Sequence, residues 1–195
     1  MLRRLFVLSL LLLVALTPAA LAANVKIRVE GRTTTIFGAA QPRVTADNAL
    51  QALDVASTAG EFYYGMTTSQ FGDYVSQIGK YPASGSAGWV FKINGVSSPV
   101  GADKATLKDG DVVLWYYATF GPAGGPPTLE LQRLPGNCYV VQSVTDAGKR
   151  SRAATATLLV DGKRIRTSNG RACVGRHLGL VRATAPGAVR SNAQP

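Results

Sequence analysis

The sequence predicts an α+β domain followed by a small all-β domain. Two runs rich in aromatic and β-branched residues, 88–96 and 107–117, are each bounded by an Asn-Gly or Asp-Gly turn, which predicts two strands. Upstream, apolar residues recur at helical spacing between a candidate N-cap, Thr45, and Gly60. A proline- and glycine-rich run at 121–127 then separates these elements from a segment of short strands and turns.

The order of elements before this run is specific. Alternating apolar and charged residues predict a strand at 25–30, and residues 33–37 return as the second strand of a hairpin. After the helix, a further strand is predicted at 74–78, and the Pro, Ser and Gly residues of 79–87 favour an exposed loop. Hairpin, helix and then further strands is the order of the β-grasp fold.

Residues 88–117 carry a family resemblance. They combine an aromatic strand, the Asn94-Gly95 turn and a later strand in which Gly110-Asp111 is followed by aliphatic residues and then Trp115. In these features the stretch resembles the transcobalamin-like C-terminal domain family, a β-grasp relative of the soluble-ligand-binding domains. The resemblance covers 24–121. It implies a β-grasp fold and binding rather than catalysis, and cobalamin is the ligand of the best-understood members.

The N-terminus has the pattern of a secretory signal peptide, residues 1–22. Arg3 and Arg4 precede an apolar run at 5–16, and Ala20-Leu21-Ala22 supplies a small-x-small cleavage site. The alternative is a membrane-spanning anchor, but the run is shorter than the ~20 apolar residues that a spanning helix needs. We therefore expect a secreted protein, released or held noncovalently at the cell surface, with no transmembrane segment after cleavage.

Cys138 and Cys173 are the only cysteines of the chain. In an exported protein such a pair normally meets oxidising conditions, so we expect one disulfide. It would close a loop of 36 residues, for which the chain-entropy model gives roughly 3 to 4 kcal/mol. A metal or redox pair is the alternative, but it needs neighbouring ligands or closer spacing than this sequence offers.

Charge divides the chain into two unlike halves. Residues 24–121 carry eight basic and eight acidic side chains, whereas 126–195 carry eleven basic and three acidic ones. With this boundary, the predicted organisation is the signal peptide, a ligand-binding domain at 24–121, a linker at 122–127 and a basic domain at 128–195. Below, 24–121 is called the N-terminal half and 128–195 the C-terminal half.

The C-terminal half is predicted to be a small β-sandwich. Strands are expected at 138–141, 156–160 and 179–183, separated by Gly-containing turns. Over 129–192 this part is similar to bacterial surface immunoglobulin-like or carboxypeptidase-regulatory-like modules. The full prediction is thus an α+β β-grasp-like domain followed by a small all-β sandwich domain.

The chain offers little for catalysis or metal binding. The single histidine, His177, is predicted to be a solvated turn residue without a nucleophile or an orienting acid nearby. Asp109 and Asp111 could serve acid–base chemistry or calcium, but their position around Gly110 favours turn hydrogen bonding. We find no phosphate loop, zinc pattern or dinucleotide fingerprint. We therefore expect no enzyme, no metal and no resident cofactor.

The aromatic strands have two interpretations. They could fill the core and meet the neighbouring domain, or they could stay partly open and stack on a planar ligand or take a peptide. Because ligand contacts in the resembled family lie near the equivalent strands and the adjoining loop is exposed, we name these candidate ligand-binding residues: Tyr81, Ser84, Ser86, Trp89, Val96, Ser97 and Ser98.

The basic surplus predicts contact with a polyanion. The candidate residues cluster around predicted turns: Arg150, Arg152, Lys163, Arg164, Arg166, Arg171 and Arg176. Export argues against nucleic acid as the physiological partner. The sequence thus predicts a secreted, non-catalytic binding or adhesion protein of the bacterial cell envelope, which recognises an unknown small molecule or peptide and contacts an anionic surface polymer. The alternative is a soluble carrier for cobalamin or a similar small molecule.

Overall fold

The computed structural model describes residues 22–69, 72–122 and 124–195, so the signal peptide predicted at 1–22 lies outside the described residues except for Ala22. The predicted α+β β-grasp-like class is wrong. Of the described residues, 51% lie in strands and 7% in helix, and they form sixteen strands in four sheets with one helix. The architecture is β-sandwich-like.

The described elements have the following bounds in chain order: β1 (Ala23–Glu30), β2 (Thr35–Phe37), β3 (Arg43–Ala46), α1 (Ala49–Ala59), β4 (Tyr64–Ser69), β5 (Gly72–Ile78), β6 (Tyr81–Pro82), β7 (Ala87–Ile93), β8 (Val96–Ser97), β9 (Val112–Thr119), β10 (Thr128–Leu134), β11 (Cys138–Val144), β12 (Arg150–Arg152), β13 (Thr157–Val160), β14 (Lys163–Arg166), β15 (Arg171–Cys173) and β16 (Arg182–Thr184).

The N-terminal half contains two sheets. The larger has the order β2-β1-β9-β7-β8, with β3 also paired to β1; β1 and β9 run parallel, and the other pairs are antiparallel. The smaller sheet has the order β4-β5-β6 and lies beside β7. Asn94 and Gly95 join β7 to β8 with φ values of 53° and 84°, as a two-residue hairpin of the type I′ class requires.

The helix is shorter than its sequence pattern predicts. Its N-cap is Asn48, whose side chain accepts the N–H of Gln51 at 2.9 Å, whereas the predicted cap Thr45 lies in β3. It buries Ala49, Ala52, Leu53 and Ala56 against the larger sheet. Its eleven residues cover only part of the six-stranded sheet, so strands make up most of this half.

The C-terminal half packs two sheets around one core. One has the order β10-β11-β12 with β15 also paired to β11, and the other has the order β14-β13-β16. Their buried side chains meet in a shared cluster that includes Leu129, Tyr139, Val141, Leu158 and Val181. The predicted disulfide is confirmed, since Cys138 in β11 is bonded to Cys173 in β15.

The two halves share a buried ion cluster. Glu30, with no exposed surface, accepts from Arg182 Nη2 at 2.6 Å and from Arg190 Nη2 at 2.9 Å, and Arg28 lies beside it at 3.3 Å. Burial lowers the pKa of Arg28 to about 10. A second seam joins Ser97 N–H to the carbonyl of Asp146 at 2.8 Å. The division into two domains stays a prediction, but these contacts show that the halves pack against each other.

Candidate functional site

A cavity of about 300 Å³ lies beside β7, between β5 and the loop that follows β8. We call it the aromatic pocket. Its wall is formed mostly by apolar and aromatic side chains, with serines and carboxylates at its margin: Leu50, Met66, Asp73, Tyr74, Val75, Trp89, Val90, Phe91, Ser97, Ser98, Gly101, Ala102, Asp103, Trp115, Tyr116, Phe120 and Asp146. In the β7–β9 ladder Phe91 lies opposite Trp115 and Val90 lies opposite Tyr116. Successive residues of a strand face opposite sides of the sheet, so the lining side chains come from both faces of β7 and β9.

Both tryptophans of the chain line this pocket, and each is held by its indole nitrogen. Trp89 Nε1–H donates to the carbonyl of Tyr81 at 2.8 Å, and Trp115 Nε1–H donates to the carbonyl of Ala49 at 3.1 Å. The rings of Phe91 and Trp115 pack with centroids 5.1 Å apart. Because the polar atoms have partners and both rings are nearly buried, the rings are fixed in position and only a small part of each borders the cavity.

The mouth of the pocket exposes apolar surface. Met66, Tyr74 and Phe120 are 42%, 46% and 40% exposed and are among the described residues that line the cavity. They come from β4, β5 and the segment after β9. Large apolar side chains brought together at an opening are typical of a binding site.

The C-terminal half contributes Asp146 to the pocket. Its carboxylate lies 3.1 Å from Nζ of Lys92, a fully buried side chain that also donates to the carbonyls of Val144 and Thr145. Burial lowers the pKa of Lys92, while Asp146 opposes that shift. The Tyr116 hydroxyl donates to the same carboxylate at 3.3 Å, and burial raises the pKa of that phenol well above its usual range.

The other two carboxylates lie at the rim. Asp103 pairs with Lys104 at 3.0 Å, and this hydrogen bond lowers the pKa of Asp103. Asp73 accepts a hydrogen bond from the Thr68 hydroxyl at 2.7 Å. The described lining contains three acidic and no basic residues, and two of the three carboxylates, Asp103 and Asp146, are paired with lysines that do not line the cavity.

The predicted ligand-binding residues divide among three places. Trp89, Ser97 and Ser98 line the aromatic pocket. Ser84 and Ser86 lie in an adjoining shallow groove of about 510 Å³, which shares Trp89 with the pocket. The remaining two lie elsewhere: the Tyr81 hydroxyl bonds Thr33 and Thr34, and Val96 forms a bridge with Ala147 at the seam between the halves.

Sequence reasoning missed most of the wall. Met66, Tyr74, Phe120 and Asp146 come from four separate elements or loops, and no local pattern connects them. Leu50 is the exception, because its place on the apolar stripe of the predicted helix indicates that it faces the interior. The pocket is thus a product of tertiary packing between two sheets and both halves.

All the predicted polyanion-contact residues are exposed, but they do not form one cluster. Arg164 and Arg166 line a single depression of about 620 Å³ with Thr157 and Thr184, and Lys163 belongs to the same strand. The charge of Arg150 is partly neutralised, because its Nε lies 3.0 Å from a carboxylate oxygen of Glu130. The others lie apart: Arg152 on β12, Arg171 on β15 and Arg176 in the loop that follows β15.

His177 is half-buried rather than solvated, contrary to expectation. Its Nδ1–H donates to the carbonyl of Gly179 at 2.8 Å, and Nε2 lies 2.9 Å from the hydroxyl of Tyr139. Asp109 and Asp111 serve the turn before β9, because they accept the N–H groups of Asn24 and Lys108. These contacts assign structural roles to the histidine and to both carboxylates.

The described residues hold neither a metal-binding cluster nor a membrane-spanning helix. Within 22–69, 72–122 and 124–195, His, Cys, Asp and Glu side chains nowhere gather in threes at a spacing that could hold a metal ion. In the part of the chain that the structure describes, no helix has the length and apolar character needed to cross a membrane.

Most of the pocket lies in a segment that matches a known protein family. Residues 44–119 match a family described as Domain of unknown function (DUF4430). DUF4430 is a transcobalamin-like family. The match contains every lining residue of the aromatic pocket except Phe120 and Asp146. The resemblance predicted for 24–121 is therefore supported at this coarse level, over part of the chain.

Other comparisons are distant. A solved structure of a protein from Ruminococcus gnavus, described as a "putative metal binding protein", is 14% identical to this chain with a TM-score of 0.36, and the alignment covers 49% of this chain and 95% of that one. A likeness of this degree supports no conclusion about fold or ligand. No curated protein matches the sequence.

Proposed function

We propose that this is a secreted, non-catalytic binding protein of the bacterial cell envelope, which holds a small, mainly apolar ligand in the aromatic pocket. The observation that carries the proposal is the pocket itself: fixed indole and phenyl rings around about 300 Å³, with exposed Met66, Tyr74 and Phe120 at its mouth. Concave, mostly apolar sites with a few convergent polar groups are the usual form of small-molecule sites.

The size of the cavity favours a fragment-sized ligand over a corrinoid. Its volume is at the lower end of the ~300 to 1,000 Å³ found for pockets that hold drug-sized ligands. A corrinoid is considerably larger than such ligands and would have to lie mostly outside. The carrier function therefore ranks below the binding of a small planar or aliphatic molecule.

The C-terminal half supplies the second part of the proposal, contact with an anionic surface polymer. Arg164 and Arg166 share a depression with four threonines, and guanidinium and hydroxyl groups are donors suited to phosphate or carboxylate. The sequence surplus of eight positive charges on this half supports such contact. Arg182 and Arg190 contribute less to the surface, because they pair with Glu30.

Indole is a suitable probe for the pocket, and the side chains of the two tryptophans are suitable reporters. In nitrogen-15-labelled protein from Ala23 onward, unlabelled indole should shift the Nε1–H signals of Trp89 and Trp115 saturably, because both rings line the cavity. Ala102→Phe should abolish the shifts by filling the pocket. Ala59→Phe, the same change at an exposed helix position outside the wall, should retain them.

The same experiment separates the alternatives. If neither tryptophan signal moves in the folded protein, or if Ala102→Phe and Ala59→Phe respond alike, the pocket is not the binding site. A change in cobalamin absorbance on mixing would instead support the carrier function. Salt-sensitive retention of the protein on immobilised polyphosphate, reduced by Arg164→Gln with Arg166→Gln, would support the polymer contact.

A further inference from the structure

The loop at 175–180, here called the Leu178 loop, displays apolar side chains to solvent. Leu178 has a relative exposure of 103%, the highest among the large apolar residues that the structure describes, and Leu180 is 49% exposed. Isolated exposed leucines are ordinary on protein surfaces. A leucine that projects fully from the surface, two residues from another exposed leucine, is a more specific feature.

The loop is held in this position by hydrogen bonds. The Asp161 carboxylate accepts the N–H groups of Leu178 at 3.1 Å and of Gly179 at 2.8 Å. His177 bridges the carbonyl of Gly179 and the hydroxyl of Tyr139 from inside the loop. Leu178 is therefore presented on a fixed backbone, which lowers the entropic cost of inserting it into a partner.

Basic groups surround the exposed leucines. Arg133 and Arg176 line the same depression as Leu178 and Leu180, and both are exposed. The nearby charge of Lys163 contributes to the lowered pKa of Asp161, whose main causes are the hydrogen bonds from Leu178 and Gly179. The Asp161 carboxylate is thus engaged by the loop backbone, whereas Arg133, which donates to Asn137 Oδ1 at 2.9 Å, and Arg176 are both exposed.

We propose that the Leu178 loop inserts into the interfacial region of an anionic phospholipid bilayer. The combination of a projecting apolar side chain and flanking cations fits a surface that offers both acyl chains and negative headgroups. A soluble polyanion would engage the cations but would leave Leu178 in water. The inference is independent of the aromatic pocket, which lies in the other part of the molecule and shares no lining residue with this loop.

The test is cosedimentation of the protein from Ala23 onward with vesicles. The wild type should bind vesicles of equal parts phosphatidylglycerol and phosphatidylcholine, and about tenfold more weakly vesicles of phosphatidylcholine alone. Leu178→Ser should weaken binding to the mixed vesicles about tenfold, since a leucine side chain is no longer transferred from water. Val100→Ser, at a 49% exposed valine in the N-terminal half, is the matched control and should bind like the wild type.

Retention on immobilised polyphosphate, which offers negative charge without acyl chains, identifies the alternative occupant. Leu178→Ser should leave that retention unchanged, because it removes no charge. The proposal is overturned if the wild type does not bind the mixed vesicles, if Leu178→Ser binds them as well as the wild type, or if Val100→Ser is equally impaired. Circular dichroism of each variant confirms that the fold is retained before binding is compared.

Discussion

The residue with the largest expected effect on stability is Glu30. Its buried carboxylate lies among three guanidinium groups, from Arg28, Arg182 and Arg190. Glu30→Gln removes the compensating charge and leaves buried cations that repel one another, so we expect a loss of about 3 to 5 kcal/mol in the free energy of unfolding. Urea denaturation followed by circular dichroism measures it.

A matched substitution shows whether burial is the cause. Glu130 pairs with Arg150 at 3.0 Å, but both side chains are about two-fifths exposed. Glu130→Gln should therefore cost less than about 1 kcal/mol, as is usual for a solvent-screened pair. Equal losses for the two variants would contradict the assignment of Glu30 as a buried anchor between the halves.

At the scale of elements, the sequence predicts apolar strands and special turns well. β7, β9 and the Asn94-Gly95 turn carry β-branched residues, aromatics and obligatory positive φ values, and each was located from local pattern. β12 consists of Arg-Ser-Arg and is exposed throughout, so neither apolar alternation nor bulk marks it as a strand. Such strands form because a neighbour offers backbone partners, which is a property of the tertiary structure.

The same distinction applies to the candidate site. Trp89, Ser97 and Ser98 lie on or beside the aromatic hairpin, and the sequence predicted them. Asp146 reaches the pocket only because the C-terminal half packs against β7 and β8, with Lys92 as its buried partner. No local sequence pattern predicts that Asp146 lies beside the pocket.

The Leu178 loop depends on one carboxylate, which gives a pH-dependent prediction. Hydrogen bonds from Leu178 and Gly179 lower the pKa of Asp161 below its ordinary 3.8. Its stabilising effect is therefore complete above that ordinary value and is lost as pH falls through the lower folded value. Relative to unstructured amides at the same pH, hydrogen exchange of the Leu178 and Gly179 amides should accelerate as pH falls below 3.8, and in Asp161→Asn it should already be faster at pH 6. Unchanged exchange at both amides would show that Asp161 does not hold the loop.

The disulfide is the covalent link between β11 and β15. Replacing both Cys138 and Cys173 by serine should lower the free energy of unfolding by roughly 3 to 4 kcal/mol, because the unfolded chain regains the freedom of a 36-residue loop. Differential scanning calorimetry gives the change. A double variant as stable as the oxidised wild type would show that the strand pairing alone defines this edge.

At the scale of the whole molecule, the pocket and the ion cluster both span the two halves. Asp146 enters the aromatic pocket, Arg182 and Arg190 reach Glu30, and the N–H of Ala193 donates to the carbonyl of Ala39 at 2.7 Å. Leu114, Tyr116 and Ala118 of β9 form a further small cluster with Val189. A ligand in the pocket would contact both halves, so its affinity should depend on their packing.

Limited proteolysis tests how the halves are joined. The proline- and glycine-rich run at 121–127 should be the preferred cleavage region, because few core contacts stabilise it. We expect the two fragments to elute together in gel filtration after cleavage, since the Glu30 cluster and the seam at Ser97 do not depend on chain continuity. Glu30→Gln should separate them, whereas Glu130→Gln should not. Separation of the wild-type fragments would show that the linker, rather than the buried ion cluster, keeps the halves in contact.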